Sequence, residues 1–149
     1  MTSIAGHLAA IEELRARAFP ARCERAGWTD SGPGYHIAAL RVSEDFWDAD
    51  LSRVREVDEE FDAELRLLVG ALAREWGAPD VLDLTECLER SGLGEPVPPP
   101  LDSLCGYVAE LHTWMVDGRW VAVGVGQADR ELPIQLVAAI GEPDSLRPR

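Results

Sequence analysis

Lysine and asparagine are both absent from this 149-residue chain, so all 14 of its basic residues are arginine. Both missing residues are encoded by A-rich codons, which points to a GC-rich and, by expectation, bacterial genome. Positive charge as a whole is scarce. The 14 arginines face 27 acids, for a net charge of −13. Binding to nucleic-acid phosphate needs clustered Lys and Arg, and so does binding to an anionic membrane surface; neither partner is expected. Long apolar runs are also missing, and no stretch has the roughly 20 residues needed to span a bilayer. The opening Met-Thr-Ser-Ile-Ala-Gly-His carries no basic region ahead of an apolar run, so no signal peptide is expected.

Reactive motifs are equally sparse. Cys23, Cys87 and Cys105 are odd in number and contain no CxxC. That spacing suggests neither a zinc ribbon nor a thioredoxin-type site, and it fits a reducing cytoplasm. His7, His36 and His112 show neither HxxxH nor HExxH spacing, and no acidic run has the EF-hand pattern. Gly124-Val125-Gly126 resembles the start of a phosphate loop but lacks the third glycine and the following helix. No metal and no cofactor is expected, and an enzyme is the less favoured class. A nucleophilic pairing of Cys105 with His36 or His112 stays open as a tertiary arrangement.

The acids that are present are unevenly placed. Ten of the 27 fall between Glu44 and Glu64, where the only cations are Arg53 and Arg55. Residues 28–100 carry a net −11, whereas residues 1–27 carry +1. Such segregation speeds association with a basic partner in a salt-sensitive way, and it also keeps a protein soluble.

Apolar periodicity supplies the fold class. A helix is expected over residues 3–18, with Ser3 as N-cap and Pro20 as terminator. Residues 31–34, Ser-Gly-Pro-Gly, read as a loop, and Tyr35 to Val42 as a strand. Leu51, Val54, Val57, Phe61, Leu65, Leu68, Leu72 and Trp76 recur at three- and four-residue steps. They form one stripe of a long helix, capped by Asp48 or Asp50 and stopped by Gly77 and Pro79. Residues 81–84 suggest a short strand, Thr85 the cap of a brief helix, and the prolines at 96 and 98–100 a stiff connector. Asp117-Gly118 between apolar runs predicts a two-residue hairpin that pairs Val116 with Arg119 and Trp114 with Val121. A third strand is expected over 132–140, and a loose tail over 142–149.

The chain is therefore expected to be one acidic α+β domain over 1–149, with an N-terminal helix within 1–20 and a three-stranded β-meander within 101–141. Helices should pack on one face of a mostly antiparallel sheet. The hairpin is apolar on both sides, so its Trp114/Val121/Val123 face needs a cover: a helix of the same chain, a partner, or a second copy.

The function these observations suggest is non-enzymatic protein binding: an immunity- or antitoxin-like inhibitor, or an adaptor, for a basic partner. Glu56, Glu60 and Glu64 stand at i, i+4 and i+8 as a like-charge stripe that a basic surface would relieve. Phe46, Trp47 and Trp114 are the candidate aromatic anchors. A second reading is a small-molecule site or cryptic enzyme, with a pocket between sheet and long helix lined by Tyr35, His36, His112, Gln127, Asp129 and Arg130. A third is a homo-oligomer closed through the Trp114/Val121/Val123 face.

Overall fold

A computed structural model describes residues 3–143 and Ser145. In chain order the elements are α1 (Ile4–Ala16), β1 (Glu24–Ala26), β2 (Thr29–Gly32), β3 (Tyr35–Val42), α2 (Leu51–Trp76), β4 (Asp80–Asp83), α3 (Thr85–Gly92), α4 (Leu101–Leu104), β5 (Glu110–Val116), β6 (Arg119–Gly126) and β7 (Gln135–Gly141). The fold is α+β. One seven-stranded sheet has the order β1-β2-β3-β7-β6-β5-β4, and every neighbouring pair is antiparallel. No helix among the described residues is long and apolar enough to cross a membrane.

Local chemistry accounts for the element ends. The Ser3 side chain accepts from the Gly6 amide to start α1, and the Asp50 carboxylate accepts from the Arg53 amide to start α2. Gly77, at φ 86°, ends α2 in a conformation that favours glycine. The β5–β6 turn holds Asp117 at φ 51° and Gly118 at φ 79°, as a type I′ turn requires. Its register pairs Val116 with Arg119 and Trp114 with Val121.

The two sides of the sheet are both packed. On one side Ala38, Trp114, Val121, Val123, Leu136, Ala138 and Ile140 meet α1 and the inner stripe of α2. On the other, Ile37, Leu111, Trp120, Ala122, Val137 and Ala139 meet Leu84, Cys87, Leu101, Leu104, Cys105 and Val108. Helices thus lie on both faces, not on one as the sequence suggested. The glycines of β6 explain how the second layer comes so close. A Cβ on Gly124 would sit 2.7 Å from the Glu110 carbonyl oxygen, and one on Gly126 would sit 2.6 Å from the Tyr107 ring. The polypeptide around residues 107–110 therefore lies directly on β6, and Val108 bridges Gly126. This is the structural purpose of the Gly-Val-Gly sequence, which lies within a strand and forms no phosphate loop.

Several boundaries differ from expectation. Ser31 and Gly32 belong to β2, leaving only Pro33 and Gly34 to turn the chain. Leu132 and Pro133 lie in the β6–β7 connection, because β7 begins only at Gln135. Thr85 is the first residue of α3 and not its cap; the Asp83 carboxylate accepts from the Thr85 amide at 2.8 Å. Leu51 belongs to the α2 stripe by spacing but is exposed. Of the expected loose tail, residues 144 and 146–149 lie outside the described residues.

Candidate functional site

The acidic surface is built by α2 and the segment that feeds it. After β3 the chain is pinned to the β6–β7 connection. The Ser43 amide donates to the Ile134 carbonyl (2.9 Å), the Ile134 amide donates to Ser43 Oγ (2.8 Å), and the Phe46 amide donates to the Glu131 carbonyl (2.9 Å). This pinning drives Phe46 into the core and turns Trp47 outward, with 65% of its surface exposed. Phe46 is therefore a core residue and not a surface anchor. Trp114 is also buried, its indole N–H donating to the Gly77 carbonyl at 2.8 Å. The Trp114/Val121/Val123 face lies beneath α1 and α2, so the chain covers it without a second copy.

The Glu56/Glu60/Glu64 stripe does not run unbroken over the surface. Glu56 stands 3.3 Å from the Arg53 guanidinium, which also bonds Glu44. Glu60 is exposed. Glu64 turns inward and is only 13% exposed. It accepts from Nε2 of buried His7 on α1 at 2.8 Å and from Arg41 on β3 at 3.0 Å. The Arg41 guanidinium also lies 4.4 Å from the centre of the Phe61 ring. Glu64 thus ties α1, α2 and β3 together.

What remains outward is a different acidic surface. Asp58, Glu59, Glu60 and Asp62 are exposed on α2, and Asp45 and Asp48 are exposed beside Trp47 and Leu51. Asp62 has its pKa raised, first by partial burial and then by the Asp58 carboxylate one turn earlier; Arg66, one turn later, offsets part of this. Arg53 has its pKa raised chiefly by its hydrogen bond to Glu44 and further by Glu56 and Glu60, so the negative field converges there.

The residues expected to line a pocket are not brought together. The space between the sheet and α2 is filled by the core. Tyr35 faces the α3/α4 side, while its neighbour His36 faces α1, and His112 lies three strands away from His36, roughly 14 Å at ~4.8 Å per strand. Gln127, Asp129 and Arg130 belong to the β6–β7 connection, where Nε2 of the Gln127 side chain donates to the carbonyls of Arg130 and Leu132. Cys105 is buried on the α3/α4 side, opposite both histidines, so it forms no nucleophilic pair with them. Burial, followed by the nearby Cys87 and Asp102, pushes its thiol pKa up, which keeps it protonated. His112 Nδ1 is buried without a hydrogen-bond partner among the described residues, and its Nε2 lies 3.8 Å from Glu110, beyond hydrogen-bond reach.

His36 is a structural latch. Its Nε2 faces the Arg17 carbonyl at 3.2 Å, which can only accept, so Nε2 carries the proton. Nδ1 then accepts from Ser31 Oγ at 2.6 Å. The ring packs on Phe19, and the Arg119 guanidinium also lies over Phe19 while donating to the Arg15 carbonyl at the end of α1. Burial lowers the His36 pKa, the Arg17 backbone hydrogen bond opposing it, so the folded state holds the neutral ring. The unfolded chain takes up this proton first as pH falls. The stabilisation is therefore complete above the ordinary value of 6.5 and is lost progressively below it. Histidine resonances followed by NMR are expected to place His36 below 6.5, and His36→Asn should flatten the loss of unfolding free energy between neutral and mildly acidic pH. A His36 titration at or above 6.5 contradicts this assignment.

Two hollows open on the α3/α4 side of the sheet. One, of about 640 Å³, lies between α3 and the proline connector, lined by Cys87, Pro96, Val97, Pro98 and Leu101 with Arg90 and Glu95 at hand. The other, of about 430 Å³, lies over the β1–β2–β3 end of the sheet and includes Trp28, Asp30 and Tyr107. Sequence reasoning passed over these three residues. The signal available was Gly27, which marks a two-residue turn with Trp28 at its second position and a strand from Thr29 onward. Among the described residues, no group of three or more His, Cys, Asp or Glu side chains is gathered closely enough to hold a metal ion. No family model matches the chain, and neither a curated protein nor a solved structure matches it.

Proposed function

We propose that this protein is a non-enzymatic binding module for a basic protein partner, acting as an inhibitor of that partner or as an adaptor for it. The observation that carries the reading is the outer face of α2 with its feeding segment. Exposed Trp47 and Leu51 stand among Asp45, Asp48, Glu56, Glu60 and their acidic neighbours. An apolar anchor on a predominantly acidic surface, in a segment whose only cations are Arg53 and Arg55, is an arrangement in which burial supplies the slow off-rate and the field supplies orientation and a fast on-rate. The mutual repulsion of Asp58 and Asp62 is charge that an incoming guanidinium or ammonium group would relieve.

The test is affinity capture from the source organism at low and high salt, with wild type beside two variants. In one, Asp58, Glu59, Glu60 and Asp62 become their amides; the other is Trp47→Ala. The captured partner should be basic, and its association rate should fall roughly tenfold with the amide variant. Trp47→Ala should leave association intact and speed dissociation at least tenfold. Binding that is indifferent both to salt and to the amide variant overturns the reading. An inhibitor and an adaptor are then told apart by whether the partner's own activity survives in the complex.

A further inference from the structure

We propose that the hollow over the β1–β2–β3 end of the sheet binds a small organic cation, an amine or quaternary ammonium group carried on an apolar or aromatic body. Three strands build the site. Asp30 pairs with Ile37 across β2 and β3, and the Ala39 amide donates to the Trp28 carbonyl. Asp30 therefore projects from the same side of the sheet as Ile37 and Ala39, by the two-residue alternation of a strand, and Trp28, in the β1–β2 turn, lines the hollow beside them. Tyr107 closes the hollow from the segment that follows α4. The volume of about 430 Å³ falls within the roughly 300–1,000 Å³ of ligand-binding clefts.

The chemistry selects the ligand. Trp28, Tyr107 and Asp30 line the hollow with Ile37, Ala39 and the Arg25 side chain; ring faces and a carboxylate attract the same charge, so they are the elements of a cation cage once Arg25 swings aside. Trp28 is 59% exposed, a large indole left open beside the hollow. Tyr107 has its pKa pushed up to about 12, first by burial and then by the Asp30 carboxylate, so its hydroxyl stays neutral and can accept from an ammonium N–H. Asp30 is not firmly committed elsewhere. Arg25, directly across on β1, approaches it only to 3.7 Å, beyond a hydrogen bond, and the Arg25 side chain is 78% exposed. A bound cation would displace a weak, solvated ion pair. An anion would have to sit against Asp30 in a chain of net charge −13.

Benzyltrimethylammonium, titrated into the full chain by calorimetry and by tryptophan fluorescence, is expected to bind saturably at one site. Phenylacetate, which has the same ring and the opposite charge, should not compete. Asp30→Asn and Trp28→Ala should each weaken binding about tenfold. Arg25→Gln removes the competing cation and should tighten binding about two- to fivefold, a gain that misfolding cannot produce. Trp47→Ala, on the α2 side, should leave it unchanged. The proposal is overturned by any of four results: no saturable binding of the cation, phenylacetate binding equally well, Arg25→Gln weakening the cation, or the effect following Trp47 instead of Trp28.

Discussion

Phe61→Ala is expected to lower the unfolding free energy by about 3–5 kcal/mol, the usual range for deleting a fully buried aromatic ring. Phe61 has no exposed surface and stands in the middle of the α2 stripe, between Val57 and Leu68. Its ring also carries the Arg41 guanidinium at 4.4 Å, so the truncation removes a cation–π contact together with the packing. A domain of this size has of order 5–15 kcal/mol in total, and the loss should lower the melting temperature by roughly 10 °C or more. Urea unfolding read by circular dichroism checks this: the midpoint should fall while the slope stays constant. A loss under about 1 kcal/mol would mean that α2 is not the element that closes this face of the sheet.

Glu64→Ala is expected to cost about 2–3 kcal/mol, whereas Glu60→Ala, one turn earlier on the same helix, should stay within ~0.5 kcal/mol. The two residues differ in surroundings, not in chemistry. Removing Glu64 leaves the Nε2–H of a 1%-exposed histidine with no acceptor and takes from Arg41 its carboxylate. Breaking such a pair leaves one charge or donor in a site built for two, which costs more than the pair contributes when intact. Glu64→Gln retains an acceptor for His7 and should cost less than Glu64→Ala. A double-mutant cycle with His7→Phe should show coupling of about 1 kcal/mol or more. Equal effects at positions 60 and 64 would return Glu64 to the solvated face.

The contrast between these two glutamates shows where sequence reading succeeded and where it stopped. The α2 boundaries were legible because the N-capping aspartate, each step of the unbroken apolar period and the terminating glycine all act on residues within about a turn of themselves. The β5–β6 register was legible for the same reason: a two-residue turn fixes every pair beyond it. Glu64 was misplaced although the information was present. It is three residues after Phe61 and four before Leu68, so it lies on the inner stripe, where a carboxylate needs partners. Those partners, His7 and Arg41, are 57 and 23 residues away in sequence, and no local pattern names them. Phe46 and Trp47 present the converse case. They are adjacent aromatics of similar hydrophobic character, and only the pinning of residues 43–46 to the β6–β7 connection decides which enters the core.

The β1–β2 ribbon was missed because it is short, polar and, in β1, wholly exposed, so no hydrophobic alternation marks it. The hollow beside Trp28 was missed with it. The sequence by itself determined the α+β class, the long helix, the hairpin and the concentration of acidic charge, because each depends on residues within one or two turns of each other. Only the tertiary structure decided which acids face solvent, which aromatic residues are free and where a cavity opens. Those outcomes depend on contacts between distant segments, whose energies come from packing and desolvation and not from local propensity.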